Sequence, residues 1–415
     1  MSLRARVRRI DAATPPGRDR AVDALRALAI LGVVLGHWLV TALVADTGTL
    51  RTASPLQYGP ELAPVTWMFQ TLAVFFLVGG HVGVKSHLAA RARGTAYRTW
   101  LAARTARLFR PVLALLALWA VAAGLLLVSG AELQTVHTLG KLALSPLWFL
   151  LVFVALTAAT PVIARLHPLW PLAVVAHVDL FRFGFDGPEA LGWINVAAGW
   201  LVPYTLGALW ARGGLGPRAG RSLLLCGAAA TAALVAWAGY PASMVGVPGA
   251  AVSNLNPPTL AAVCFGLAQC GLALMLLGPL RRAMRRPLAW AGTALLNLSA
   301  MTVFLWHQTA LMAVTASGLL AGHPLTGLHT PPDGPAWILA RLAWLPAFAL
   351  ALTVCWTAFH PYETRRAAAP ANPAPSGGPS KAHVARPPRS TCDGPRRIPI
   401  PPDDPSASRP VPWLA

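Results

Sequence analysis

Charge is the scarcest property of this chain: Asp and Glu together number 14 in 415 residues, and only 12% of residues are charged. Soluble domains carry about 25%. With 55% hydrophobic residues, the composition excludes a water-soluble globule and describes a polytopic membrane protein. Cysteine is also sparse. Cys226, Cys264, Cys270 and Cys355 lie in apolar runs and Cys392 near the C-terminus. Their spacings fit neither a metal site nor a disulfide framework, and the four in apolar runs have no near basic partner in sequence that would suit an acyl-cysteine intermediate. A serine nucleophile elbow, a phosphate-cradling glycine loop and a two-histidine zinc helix are all missing, so no metal and no bound cofactor are expected. No repeat of fixed period is evident, although two inverted halves, as in some transporters, remain compatible with the chain.

What is present is cation and apolar length. The net charge is +20, but the cations sit in short loops between apolar runs and no aromatic-interleaved basic domain exists, so nucleic acid is not an expected partner. A span needs about 20 apolar residues. Ten can be drawn: 22–44, 62–84, 108–129, 144–164, 168–185, 190–211, 221–241, 257–279, 292–317 and 335–359. The fifth is the shortest, with Asp179 and Arg182 near its end. The fold expected is all-α: a polytopic transmembrane helix bundle of about ten spans with a disordered C-terminal tail.

With ten spans every cationic cluster falls on one side. These clusters are Arg4 to Arg20, Lys85 to Arg110, Arg165, Arg212 to Arg221, Arg281 to Arg286, and Arg365 with Arg366. The opposite loops, near 45–61, 130–143, 241–256 and 318–334, are nearly free of Lys and Arg. By the positive-inside rule both termini are cytoplasmic, in a multi-pass protein of the plasma (inner) membrane whose first partner is the lipid bilayer. Many apolar runs follow the first, so it reads as a span and not as a cleaved signal peptide. Three units follow: a basic N-terminus (1–21), a transmembrane domain (22–362) and a Pro-rich tail (363–415) with too few apolar residues to bury a core.

The first span, RDRAVDALRALAILGVVLGHWLV, carries Arg26 and His37 with ten residues between them. Eleven helical steps return a side chain to within about 20° and advance it by roughly 16 Å. The two therefore share one stripe, with Asp23 one turn before Arg26. Ionisable groups at membrane depth are costly and usually line a functional interior. Histidine titrates near 6.5, so His37 offers a neutral imidazole as general base toward a hydroxyl attacking an activated carbonyl. It can equally be a histidine bonded to a neighbouring helix. His81, His177 and His307 also lie in or beside apolar runs, while His87, His167 and His360 look interfacial. Only Asp23 and Asp179 are acids within the drawn spans, with Glu61 just outside the second. Arg104, Arg107 and Arg110 recur every three residues in YRTWLAARTARLFRP. On a helix they make one cationic face, suited to phosphate through fork-like hydrogen bonds or simply an inside-facing cluster on anionic lipid.

These segments resemble the acyltransferase-3 family of integral membrane acyltransferases, whose first span carries an Arg, ten residues, then a His. AVFFLVGGHVG is similar to its second-span Phe-Phe-x-x-Ser-Gly stretch, RTARLFRP to its Arg-x-x-Arg loop, and SPLWFLLVFVALTAATP to its Leu-Trp-Phe-Leu span. NLNPPTLAAVCFGLAQCGLAL and MTVFLWHQTAL resemble late spans of an actinobacterial branch. Gly79 stands where many relatives have Ser, and Glu363 in HPYETRR loosely matches a Glu-Arg-Pro ending. The resemblance covers roughly 18–363 and implies an O-acyltransferase. Its donor would be a thioester, commonly acyl-CoA as co-substrate, and its acceptor a hydroxyl of a carbohydrate, glycolipid or secondary metabolite. It implies His37 at the transfer centre, Arg26 with Asp23 positioning it or the donor, and Arg104, Arg107 and Arg110 on donor phosphates. Trp148, Asn256, Thr259, Trp306, His307 and Gln308 would be pocket residues. A transporter of an acylated or anionic product is the competing class, and would need a coupling acid such as Asp179. A membrane scaffold working through the Pro-rich tail would leave the Arg26–His37 stripe without a purpose. The sequence names no protein partner; the tail's Pro-rich stretches are where one could be recruited.

Overall fold

The computed structural model describes residues 2–46, 49–216 and 218–364. The segment expected to be a Pro-rich tail lies outside them from residue 365 onward.

A short Arg-rich helix, α1 (Leu3–Ala12), precedes α2 (Arg20–Val40). Helix α2 begins where Asp19, in extended conformation, accepts the Ala21 amide. That cap and Asp23 in the first turn complement the positive helix end. At Thr41 the backbone becomes extended and enters an antiparallel hairpin, β1 (Ala42–Asp46) and β2 (Thr49–Ala53), with Ala42 opposite Ala53. Helices follow: α3 (Leu72–Ala92), α4 (Tyr97–Val128), α5 (Leu133–Leu144), α6 (Leu147–Ala158) and α7 (Leu169–Asp179). The second half holds α8 (Ile194–Ala211), α9 (Ala219–Trp237), α10 (Leu260–Ala283), α11 (Pro287–Leu298), α12 (Ala300–Leu319) and α13 (Pro335–Thr364).

Among the described residues, eight helical stretches are long and apolar enough to cross a bilayer, or nine if α11 and α12, bent by 75°, form one. The expected fifth span does not qualify. Its helix α7 has 11 residues and runs into a π turn, Leu180–Gly184, which is too short for a hydrocarbon core of about 30 Å. The expected fourth span is longer at its front than drawn, because α5 joins α6 in one apolar stretch, Leu133–Ala158. The last helix runs to Thr364, two residues beyond the drawn domain boundary at 362.

Lipid offers no hydrophobic drive between helices, so the inner contacts rely on small residues. The helix backbones of α3 and α8 meet at Gly80 and Gly207, where a Cβ on either would strike the carbonyl of Tyr204 or Leu77. Gly227 and Gly271 do the same between α9 and α10. A Cβ at Gly79 would come within 2.6 Å of the Phe153 ring, so a serine there would need that ring to shift. The result is an inner layer and an outer one. About 61% of the apolar window of α2 and of α8 is buried, against 11% for α4 and α13. The outer helices expose Leu113, Leu125, Leu350 and Val354, the apolar surface a bilayer demands.

Candidate active site

Helix α2 joins two polar centres. At its last turn, half-buried His37 borders a cavity of about 530 Å³. The cavity walls come from α2, the hairpin, α5, α6 and α12, with Phe149 and Phe304 as apolar lining. Nδ1 of His37 lies 2.8 Å from the side-chain amide nitrogen of Gln308. His307 stands beside them, its ring centroid 5.0 Å from that of His37. The Nδ1 of His307 is 2.6 Å from the Phe304 carbonyl. A carbonyl only accepts, so His307 carries its proton on Nδ1 and keeps a bare lone pair on Nε2. That Nε2 and Oε1 of Gln308 are buried with no hydrogen-bond partner among the described residues, which is unusual for buried polar atoms.

The pair is held from three directions. Trp38 Nε1 donates to the His307 carbonyl at 2.9 Å, fastening α2 to α12. Arg341, fully buried on α13, donates to the carbonyls of Trp38 at 2.6 Å, Gly327 at 2.7 Å and Thr41, and its guanidinium lies 4.7 Å from the Phe348 ring. It thereby satisfies carbonyls that the end of α2 leaves unpaired. Glu363 accepts from the amides of Met301 and Thr302 at 3.1 and 3.0 Å and from the Thr302 hydroxyl at 2.7 Å. It caps the start of α12, where the positive helix end favours a carboxylate.

At the other end of α2 an ionic cluster forms. Asp23 accepts from Arg18 Nε and from Arg26 Nη2, the latter at 3.1 Å. Arg26 Nε donates to Asn297 Oδ1, and Asn297 Nδ2 donates to the Asp23 carbonyl at 2.8 Å. Arg104 on α4 is close enough for its charge to act on Arg26; its Nη1 donates to Ser86 Oγ at 2.9 Å. Half-buried Arg110 follows on α4, while the Arg107 side chain lies outside the described ones. Arg26 and Asp23 therefore engage each other and α11. His37 is eleven helical steps away, about 16 Å.

Of the expected pocket residues, Trp148, His307 and Gln308 line the cavity. Trp306, Asn256 and Thr259 do not. Trp306 is turned away, stacked on Phe359 at 3.7 Å, because a neighbour in a helix points about 100° aside. The Thr259 hydroxyl accepts from the Ala262 amide, capping α10, and donates to Asn254. Asn256 lies in the loop before that cap. Asp179 is buried as a joint of α7, α8 and α10: it accepts from Asn195 at 2.9 Å, Tyr240 at 3.1 Å and the Leu260 amide at 2.6 Å, with Arg182 at 3.7 Å. A carboxylate so thoroughly bonded suits a structural joint better than a coupling acid that binds and releases cargo.

The sequence reading missed Arg341, which it left inside an ordinary apolar span, and the polar wall contributed by α5. The signal for α5 was present: Gln134, His137, Thr138, Lys141 and Ser145 recur with helical spacing. Among the described residues no three His, Cys, Asp or Glu side chains converge as a metal would need.

Searches of curated proteins and of solved structures return no match. A family profile for the acyltransferase domain of acyltransferase-3 matches residues 19–360. That segment starts at the cap of α2, takes in both polar centres and the cavity, and ends in the last turns of α13. By that match the chain belongs to the acyltransferase-3 family, and with its apolar helices it is a multi-pass membrane acyltransferase.

Proposed function

We propose that the protein transfers an acyl group from a cytoplasmic thioester, acyl-CoA, to a hydroxyl of a carbohydrate, glycolipid or secondary metabolite, with His37 as general base. The observation carrying this reading is the His37–Gln308–His307 cluster beside a cavity of about 530 Å³. A side-chain amide offers a donor or an acceptor to a ring after a half-turn. With its carbonyl toward His37, Gln308 accepts the Nδ1 proton and leaves Nε2 bare. The acceptor hydroxyl then gives its proton to Nε2 as its oxygen bonds to the thioester carbonyl carbon. The tetrahedral intermediate collapses with cleavage of the carbon–sulfur bond, and the imidazolium returns the proton to the leaving thiolate. The products are an ester and a free thiol. Bare Nε2 of His307 receives a hydrogen bond from a second hydroxyl or a water.

The cationic end of α2 supports a donor entering there. Arg104, with Arg107 and Arg110, would hold the phosphates, and Arg26 would stand where the donor's arm begins its course of about 16 Å toward His37. The cationic residues around that end support placing it on the cytoplasmic side; the cavity then admits the acceptor from the opposite half. The test uses the purified full chain in lipid nanodiscs with radiolabelled acetyl-CoA, following thiol release and label transfer to hydroxylated acceptors. Wild type should do both and His37→Ala neither. A His37→Ala protein that is correctly folded and turns over at the wild-type rate overturns the assignment.

A further inference from the structure

Three side chains of α5 face the cavity with their hydrogen-bonding capacity unspent. Gln134, His137 and Lys141 line it, are exposed, and have no side-chain partner among the described residues. Two neighbours on the same face, Thr138 and Ser145, donate to backbone carbonyls of Gln134 and Leu142. On the opposite wall Ser54 and Thr66 are similarly engaged, with the Leu56 amide and the Ala63 carbonyl. The three unused groups of α5 share one helix face. Offsets of three and seven residues place them within about 60° of each other over roughly 10 Å of axis, the dimension of one sugar-sized group.

The charge of the wall is one-sided. The cavity is lined by His37, His137, His307 and Lys141 and by no Asp or Glu. Lys141 belongs to a stretch apolar enough to span a membrane, where an ammonium is costly and marks a site by default. An acceptor carrying an ammonium would meet a cation with no compensating acid, while an acidic acceptor would supply the missing counter-charge.

Resting on the acyl-transfer reading above, we propose that α5 is the acceptor subsite and that Lys141 selects a hydroxylated acceptor bearing a carboxylate or phosphate. Gln134 and His137 bond its remaining hydroxyls, and the hydroxyl to be acylated lies toward His37.

The experiment compares matched acceptors in nanodiscs with radiolabelled acetyl-CoA. One arm sets methyl glucuronoside against methyl glucoside, as soluble compounds. The other sets phosphatidylinositol against glucosyl diacylglycerol, within the bilayer. The acidic member should be acylated with at least tenfold higher kcat/KM in one arm, and that arm tells a soluble from a lipid-borne acceptor. Lys141→Met should bring the ratio close to one, and Lys141→Arg should keep it. Because each variant is read as a ratio between two acceptors, a partial loss of folded protein cancels. No preference for the acid in either arm, no labelled acceptor at all, or a preference that survives Lys141→Met overturns the subsite. Failure of the acyl-transfer reading shows separately, as absence of thiol release by the wild type.

Discussion

The two ends of α2 solve opposite problems with one helix. At its start, charges are matched: Asp23 stands between Arg18 and Arg26, and Asn297 bonds to both Arg26 and the Asp23 backbone. At its end, polar atoms are left unmatched: Nε2 of His307 is buried without a partner beside His37, and so is Oε1 of Gln308 while its amide nitrogen, and not its carbonyl, faces the His37 ring. Buried polar atoms without partners cost about 1–3 kcal/mol each, so they persist where something else is meant to bond them. Saturated pairs suit a place where charge must stay fixed, and unsaturated ones suit a place where protons and hydroxyls come and go. The comparison is broken or sharpened by changing one end at a time.

The largest effect should follow from emptying the unsaturated end. His37→Ala removes the base and should lower acyl transfer by a factor of about 100 to 10,000, with the variant still folded and inserted. Thiol release from acetyl-CoA, with and without acceptor, is the measurement. Near-normal turnover would mean that the two ends of α2 do not differ in the way described.

Next in size is the saturated end. Arg104→Ala with Arg107→Ala should raise the KM for acyl-CoA about 10- to 100-fold, the worth of one or two charge-assisted hydrogen bonds, and leave kcat the less affected. The remaining loop cations, among them Arg91, Arg93, Arg98 and Arg110, keep the loop inside. If kcat falls and KM holds, the cationic cluster serves the chemistry and not the donor.

A third variant asks how far the His37 end depends on its scaffold. Arg341→Met leaves the carbonyls of Trp38, Thr41 and Gly327 without their donor, at a cost of about 1–3 kcal/mol per group left unsatisfied. Melting temperature should drop and kcat should fall while the donor KM stays put, with Arg341→Lys restoring part of both. An equal loss at both ends, seen as a raised donor KM, would show that Arg341 holds the whole helix.

Much of this arrangement is legible in the sequence, and what is not has physical reasons. The stripe of Asp23, Arg26 and His37 follows from helical periodicity alone, since α2 has no proline or break. The bend between α11 and α12 hides in one apolar run, because hydropathy reports length and not direction. The wall made by α5 hides in what looks like a loop: its polar face lowers the apolar signal, and Lys141 was one cation among few on that side. Trp306 is grouped with His307 and Gln308 by family resemblance, which does not give direction: on the helix it points about 100° from His307 and stacks on Phe359. Arg341 escapes notice since its partners are backbone carbonyls, which no residue pattern announces.

The smallest expected effect lies at the outer edge of the saturated end and should touch stability alone. Asp19 caps α2 through the Ala21 amide and pairs with Arg281 at 2.7 Å. Burial works to raise its pKa, but the Arg281 hydrogen bond and the backbone amides of Ala21 and Val22 outweigh it and leave the carboxyl below its ordinary value. A depressed folded-state value means that the carboxylate stabilises the fold above its unfolded pKa of about 3.9 and loses that contribution as pH falls through the folded value. Asn also caps well, so Asp19→Asn isolates the pair with Arg281. Both partners are partly exposed, and such pairs are worth about 0.2–1 kcal/mol. The variant should melt slightly lower than wild type at pH 7, and the gap should close as both are taken toward pH 3, with donor KM unchanged throughout. A gap that stays constant with pH would place the effect in the cap and not in the charge.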